Sequence, residues 1–378
     1  NYDLNRDFIK SDTKNSRSFQ QLFSELKPDL FLDNHCSNGA DYQYTFTCIA
    51  TQHERLGNKL GYFFINDLYP TIVKDMQQKK IDVVPYVNVH STTPDNGFEQ
   101  FTDTPRYATG YTTLFHTLGF VPETHMLKAY SERVKVTYEF MISSIKYADA
   151  NVKKIKQMRQ DAMKDFQPGM NYPLDWTIDS TKVSYIDFKG FKGDYKASEI
   201  SGKDRLYYDR SKPFTKKIPF YGDYKPSKNI TIPSAYIIPQ SQWQVLDLLI
   251  LNGINYAQLQ KDTIIEVESY KIESYKTSNS AYEGHYSHFN TTVSKSIKKL
   301  KFYAGDYIFS THQTSVKYLL ETLEPEAVDS YFNWNFFDTI LQRKEGYSAY
   351  VFEDLAKEFL DENPKVKKEF EKKKLEDK

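Results

Sequence analysis

Apolar positions along the chain repeat mostly at helical spacing, with short alternating or continuous runs between. Phe19, Leu22, Phe23 and Leu26 fall at i, i+3, i+4 and i+7 and predict a short amphipathic helix that Pro28 stops. The run 29–34 reads as a buried strand leading into His35, followed by the turn residues Ser37-Asn38-Gly39. A second helix is expected over about 68–79, and strands over 81–89 and 118–121. Val134, Tyr138, Met141, Ile145, Ala148, Val152 and Ile155 are spaced alternately four and three apart, which predicts one long helix over about 131–165 with these residues on its apolar face.

The text changes after Phe166-Gln167-Pro168-Gly169, becoming rich in Tyr, Lys, Asp and Gly and poor in aliphatics up to about 235, which suggests short strands and long loops. Ser241 and Gln244 have the spacing of a capping box, ahead of a helix through Val245, Leu248, Leu249 and Leu251 that should end at Asn252-Gly253. Strands are expected over 263–275 and 297–310, then helices over 316–323 and 350–360 and a charged helical tail from Lys365. Strands alternating with helices point to an α/β class, with a mixed sheet and flanking helices over 1–165, a β-rich region over 166–312 and a helical segment over 313–378.

With 378 residues the chain is long enough for two or three domains. Fifty basic side chains balance fifty acidic ones, so nothing in the charge suggests a nucleic-acid partner. No apolar run approaches the roughly 18 residues of a membrane span. Two cysteines, Cys36 and Cys48, could form one bond or remain two buried thiols. The chain opens at Asn1 without Met and runs straight into a motif, as a partial polypeptide would.

Three groups of residues could carry chemistry. In Asp3-Leu4-Asn5-Arg6-Asp7-Phe8, the Arg6 guanidinium can hold a carboxylate by two parallel hydrogen bonds, with the Asn5 amide as a further donor. His35, at a strand end before a glycine turn, sits where open α/β sheets place their ligands and could bind a metal. Glu123 in Val121-Pro122-Glu123-Thr124-His125 is a carboxylate at another strand end, suited to act as a general base. His285 and His288, flanking a Glu283-Gly284 turn, have ligand-like spacing but in a strand would face opposite sides.

Taken in order, these segments resemble the zinc carboxypeptidases, the carboxypeptidase A-like metallopeptidases, over about 1–145. The text around His35 and Glu123 is similar to a bacterial subgroup with a long C-terminal extension. The resemblance implies one zinc ion with His35 as one ligand, Glu123 as general base, and Asn5 with Arg6 gripping the free C-terminal carboxylate of a peptide substrate. It also implies a secreted or periplasmic location, and a catalytic tyrosine some tens of residues before Glu123, where Tyr107 and Tyr111 are candidates. The family's other two ligands form a His-x-x-Glu pair upstream of the Asn-Arg segment, and none of the eight histidines here has Glu three positions later. This chain by itself is therefore expected to be inactive. The rival expectation is a non-catalytic peptide- or glycan-binding protein on a degenerate peptidase fold.

Overall fold

The computed structural model describes residues 2–342, 346 and 348–376. The chain divides into two compact units, Asn1–Phe336 and Phe337–Lys378. It mixes helices and strands, with several small sheets instead of one large one. No helix among the described residues is long and apolar enough to cross a membrane.

The first unit is organised around strand β6 (Leu118–His125), every residue of which is buried. It pairs in parallel with β1 (Leu30–Leu32) and β2 (His35–Ser37) on one side and antiparallel with β3 (Phe46–Ala50) on the other; β3 pairs in turn with the two-residue β4 (Val84–Pro85). The parallel ladder is interrupted between Leu32↔Phe120 and His35↔Glu123. Pro122, which has no N–H to give, lies opposite that break. The expected strand over 29–34 is thus two short strands, and β1 is only half-buried because it forms the edge of the sheet. The expected strand over 81–89 shrinks to β4, whose Pro85 cannot extend the ladder.

Alternation along β6 sends Leu118 and Phe120 to one face, where they meet Phe46, Leu60, Phe64, Met76, Phe140 and Ile155. Phe46 belongs to β3; the others come from α3 (Asn58–Phe63), a π turn (Phe64–Leu68), α4 (Tyr69–Gln78), α6 (Tyr130–Ala150) and α7 (Val152–Ala162), and α2 (His53–Leu56) adds Leu56. Val121 points to the other face, packed with Ile49 and Ala108. There α1 (Lys14–Leu26) and α5 (Ala108–Thr113) bring Phe19, Phe23 and Tyr111 into an edge-to-face aromatic cluster. Helix α1 is capped by Thr13, whose side chain accepts from the Ser16 N–H, and ends at Lys27 in a left-handed conformation just before Pro28.

Two sequence expectations about helix faces fail in whole or in part. Of the predicted stripe of α1, Phe23 is buried and Phe19 half-buried, but Leu22 and Leu26 are exposed, and the polar Ser16 and Gln20 are buried beside Phe23. The long helix is broken at Asn151 into α6 and α7. Most of its predicted apolar stripe faces outward: Val134, Tyr138, Met141, Ile145 and Val152 are exposed, while Val136, Phe140, Ser143, Ser144 and Tyr147 are buried.

The region expected to hold short strands and long loops forms long antiparallel ribbons. β8 (Ser184–Ala197) pairs with β9 (Asp204–Tyr221), which also takes up the two-residue β5 (Phe98–Glu99), and β7 (Asn171–Ile178) pairs with β10 (Tyr224–Thr231). The tyrosines and phenylalanines there are strand formers. Gly190 marks close packing and no loop: a Cβ there would come within 2.5 Å of the Phe214 ring opposite it. The unit also holds β11 (Ala235–Ile238), β12 (Ala257–Gln258) and β15 (Tyr307–Ser310) in one sheet, and β13 (Thr263–Thr277) with β14 (His288–Phe302) in another. Helices α8 (Trp243–Leu251) and α9 (Val316–Leu323) complete it. The capping box is absent: Gln242, not Ser241, precedes α8, and no side chain caps it. The second unit holds a 3-10 turn (Asp338–Leu341), α10 (Ala349–Glu362) and α11 (Pro364–Glu376).

Candidate functional site

Strand register brings His35 and Glu123 together, as direct neighbours on the parallel strands β2 and β6. His35 Nδ1 stands 3.9 Å from Glu123 Oε1, too far for a hydrogen bond. On its other side, His35 Nε2 lies 2.8 Å from Asp33 Oδ2. With the Nε2 proton given to Asp33, Nδ1 is the nitrogen left facing Glu123, the arrangement that orients a metal-ligating histidine. That hydrogen bond also raises the His35 pKa, against the opposing effect of burial.

Glu123 is 8% exposed, and its Oε2 is buried without a hydrogen-bond partner. Burial pushes its carboxyl up to about 7, with the nearby His35 charge pulling the other way. Asp103, buried in the same pocket, is pushed by burial to about 6 although the Thr109 N–H and hydroxyl both donate to it.

Asn5 and Arg6 lie on a one-turn 3-10 helix, Leu4–Arg6, started by the Asp3 side chain accepting from the Asn5 N–H. Asn5 Oδ1 accepts from the Ala108 N–H at 3.1 Å, which fixes the side chain to the start of α5 and leaves its amide nitrogen as the end that can donate. The Arg6 guanidinium sits 4.6 Å above the Tyr107 ring, and its Nη1 is 3.7 Å from Asp3. Asp7 has a supporting part: with Asp12 it pairs the buried Lys10, and it accepts from the Asp12 and Thr13 N–H groups. Asn5, Arg6, His35 and Glu123 all line one cavity of about 390 Å³, together with Tyr107 and Asp103.

Of the two candidate tyrosines, Tyr107 lines this cavity, whereas Tyr111 is fully buried with its hydroxyl bonded to Asn252. Asp33 and Asp103 were not among the residues that sequence reasoning selected. Asp33 lies two positions before His35, but an Asp next to a strand carries no mark of its partner, and Asp103 reaches the pocket only through the chain path before α5. His125 serves the core: Nε2 bonds the Ala40 carbonyl and Nδ1 accepts from the Leu127 N–H. His285 bonds Asp12, and His288 bonds Thr277. Cys36 is exposed, Cys48 is buried and both are free thiols.

A catalytic zinc takes three protein ligands. His35 has the orientation of one, and among the described residues no three ligand atoms converge around it. No family model matches this chain, and no curated protein or solved structure matches it.

Proposed function

We propose that this chain carries the substrate clamp, the general base and one metal ligand of a zinc metallocarboxypeptidase, which removes C-terminal residues from peptides outside the cytoplasm. The observation that supports this reading best is the pairing of His35 with Glu123 in the cavity that Asn5 and Arg6 also line. His35 would hold zinc through Nδ1 together with ligands not among the described residues, and the ion would supply Lewis-acid polarisation and a more acidic water. Glu123, poised near neutral pH with an unpartnered oxygen, takes the proton of the attacking water and passes it to the leaving amine. Arg6 and Asn5 hold the terminal carboxylate by charge-assisted hydrogen bonds, which restricts cleavage to the chain end.

In zinc-loaded, active protein, Glu123→Gln should lower kcat by roughly a hundredfold to ten-thousandfold with zinc content unchanged. Arg6→Ala should erase the preference for free-acid over amidated peptides. Full retention of that preference by the Arg6 variant would sink the exopeptidase reading.

The absence of three converging donors at His35 among the described residues favours a second reading, a peptide-binding protein that uses the Arg6 clamp without turnover. Binding of free-acid peptides with no hydrolysis, in protein that retains no zinc at His35, would select it.

A further inference from the structure

A second cavity, of about 640 Å³, opens between α2, α3 and the β7–β10 ribbon. Three potential metal ligands meet beside it: His53 and Glu54, which line the cavity, and Asp223, next to its lining residue Tyr224, are each half-buried and offer ligand atoms that all lie within 4.8 Å of one another. Local structure fixes their positions. Gly61 of α3 packs so closely on the His53 carbonyl that a Cβ would come within 2.1 Å of the oxygen, which holds the start of α2 in place. Asp223 lies in the turn from β9 to β10, and its carbonyl accepts from the Asp179 N–H at 2.9 Å. The next residue, Tyr224, donates its N–H to Glu54 Oε1 at 2.6 Å, so the loop that carries Asp223 is tied to the Glu54 carboxylate.

The remaining oxygen of Glu54 is unusual. Oε2 is buried and accepts no hydrogen bond, and its nearest counter-group, His53 Nδ1, stands 3.5 Å away. That spacing is long for a hydrogen bond. It is close to the roughly 3.3 Å that separates two donors bound tetrahedrally to one zinc at about 2.0–2.1 Å each. Among the described residues, no Lys or Arg pairs with Glu54 or Asp223: Lys225 pairs with Asp179 at 3.7 Å, and Arg55 is directed to Glu321 at 3.3 Å. Two carboxylates held close together without a cation repel each other, and a dication relieves that repulsion.

We propose that His53, Glu54 and Asp223 form a binding site for a divalent transition-metal ion, separate from the His35 pocket. One imidazole nitrogen and two carboxylate oxygens suit zinc or a similar first-row ion better than calcium or magnesium, which take oxygen alone. Three protein ligands leave a coordination position open toward the cavity. Trp176, which lines the same cavity, has a buried indole N–H without an acceptor.

The test is zinc titration of chelator-stripped protein by competition with a chromophoric chelator, with cobalt(II) absorption as a second readout. One saturable site is expected in the parent, weakened by roughly tenfold or more in Asp223→Asn and in Glu54→Gln, and unchanged in His35→Ala. Glu54→Gln keeps an oxygen for the Tyr224 N–H, so circular dichroism matching the parent would show that lost binding is not lost folding. Absence of saturable zinc binding overturns the proposal. So does binding that survives both the Asp223 and Glu54 substitutions, or that disappears with His35 alone; the last result would credit the ion to the carboxypeptidase pocket and leave that reading intact.

Discussion

At the residue scale, Glu123 shows how a site and a stability cost coincide. Its carboxyl is raised from the ordinary 4.5 to about 7 by burial. Between those values the folded chain holds a proton that the unfolded chain has released, so stability falls as pH rises through this window and levels off above about 7. Glu123→Gln removes the titrating group while keeping its shape. In metal-free protein the variant should match the parent near pH 4 and exceed it at pH 8 by on the order of 3 kcal/mol. Urea denaturation at the two pH values measures this, and equal stability of the two proteins at both would show that Glu123 is not strained by burial. His35 acts on stability in the same direction: its hydrogen bond to Asp33 raises its pKa, so that contribution is present at low pH and lost as pH rises through the raised value.

At the element scale, α6 carries two apolar stripes, and the sheet selected the less regular one. Phe140 packs between Phe46 and Phe120 with ring centroids 4.9 and 5.6 Å away. Phe140→Ala should cost about 3–5 kcal/mol, because the rings around it cannot collapse into the space. Tyr138 and Ile145, 60% and 57% exposed, touch little, and replacing either by Lys should change stability by no more than about 0.5 kcal/mol. The midpoints of chemical denaturation for the three variants test the choice of face; a large loss in the Lys variants would return the predicted stripe to the core. The exposed stripe runs beside the half-buried edge strand β1, with Leu30, Leu32, Ile145, Ala148 and Val152 lining a shallow apolar cavity. An apolar surface of this kind favours association, so the Lys variants should also be the more soluble ones.

At the scale of the whole first unit, one ion pair joins segments far apart in sequence. Arg106 reaches Asp329 through both Nε and Nη2 at 2.7 Å, and its backbone N–H donates to the other carboxylate oxygen at 2.9 Å. Asp329 is fully buried and also accepts from the Trp334 indole, over which the Arg106 guanidinium lies at 4.8 Å. Removing the cation leaves a buried carboxylate uncompensated. Arg106→Ala should therefore destabilise by about 3–5 kcal/mol, and Arg106→Ala with Asp329→Asn should recover part of that loss. Because Tyr107 is the next residue and lines the His35 cavity, the single variant should also weaken peptide binding there. Thermal unfolding of the single and double variants decides: equal losses in both would mean that the charge pair is not what holds the segment.

What the amino-acid sequence determined by itself is mostly local. Pro28 and the apolar spacing before it end α1, the run from Val245 to Leu251 forms α8 and stops at Asn252, and α9 and α10 lie where their periodicity puts them. Asn5, Arg6, His35 and Glu123 were legible as candidates from short-range signals, a reactive side chain beside an expected turn or strand end, although His35 opens β2 and Glu123 lies inside β6, which runs on to His125. Tertiary structure decided which stripe of α6 is buried, since two apolar faces on one helix leave that choice to the surface it meets. It also decided that the Tyr-, Lys- and Gly-rich text forms long ribbons, because cross-strand pairing such as Gly190 against Phe214 has no local signature. Asp33, Asp103 and the Glu54–Asp223 pairing were beyond reach for the same reason: a carboxylate's chemistry depends on burial and on partners brought by register and chain path, and neither is written in its neighbours.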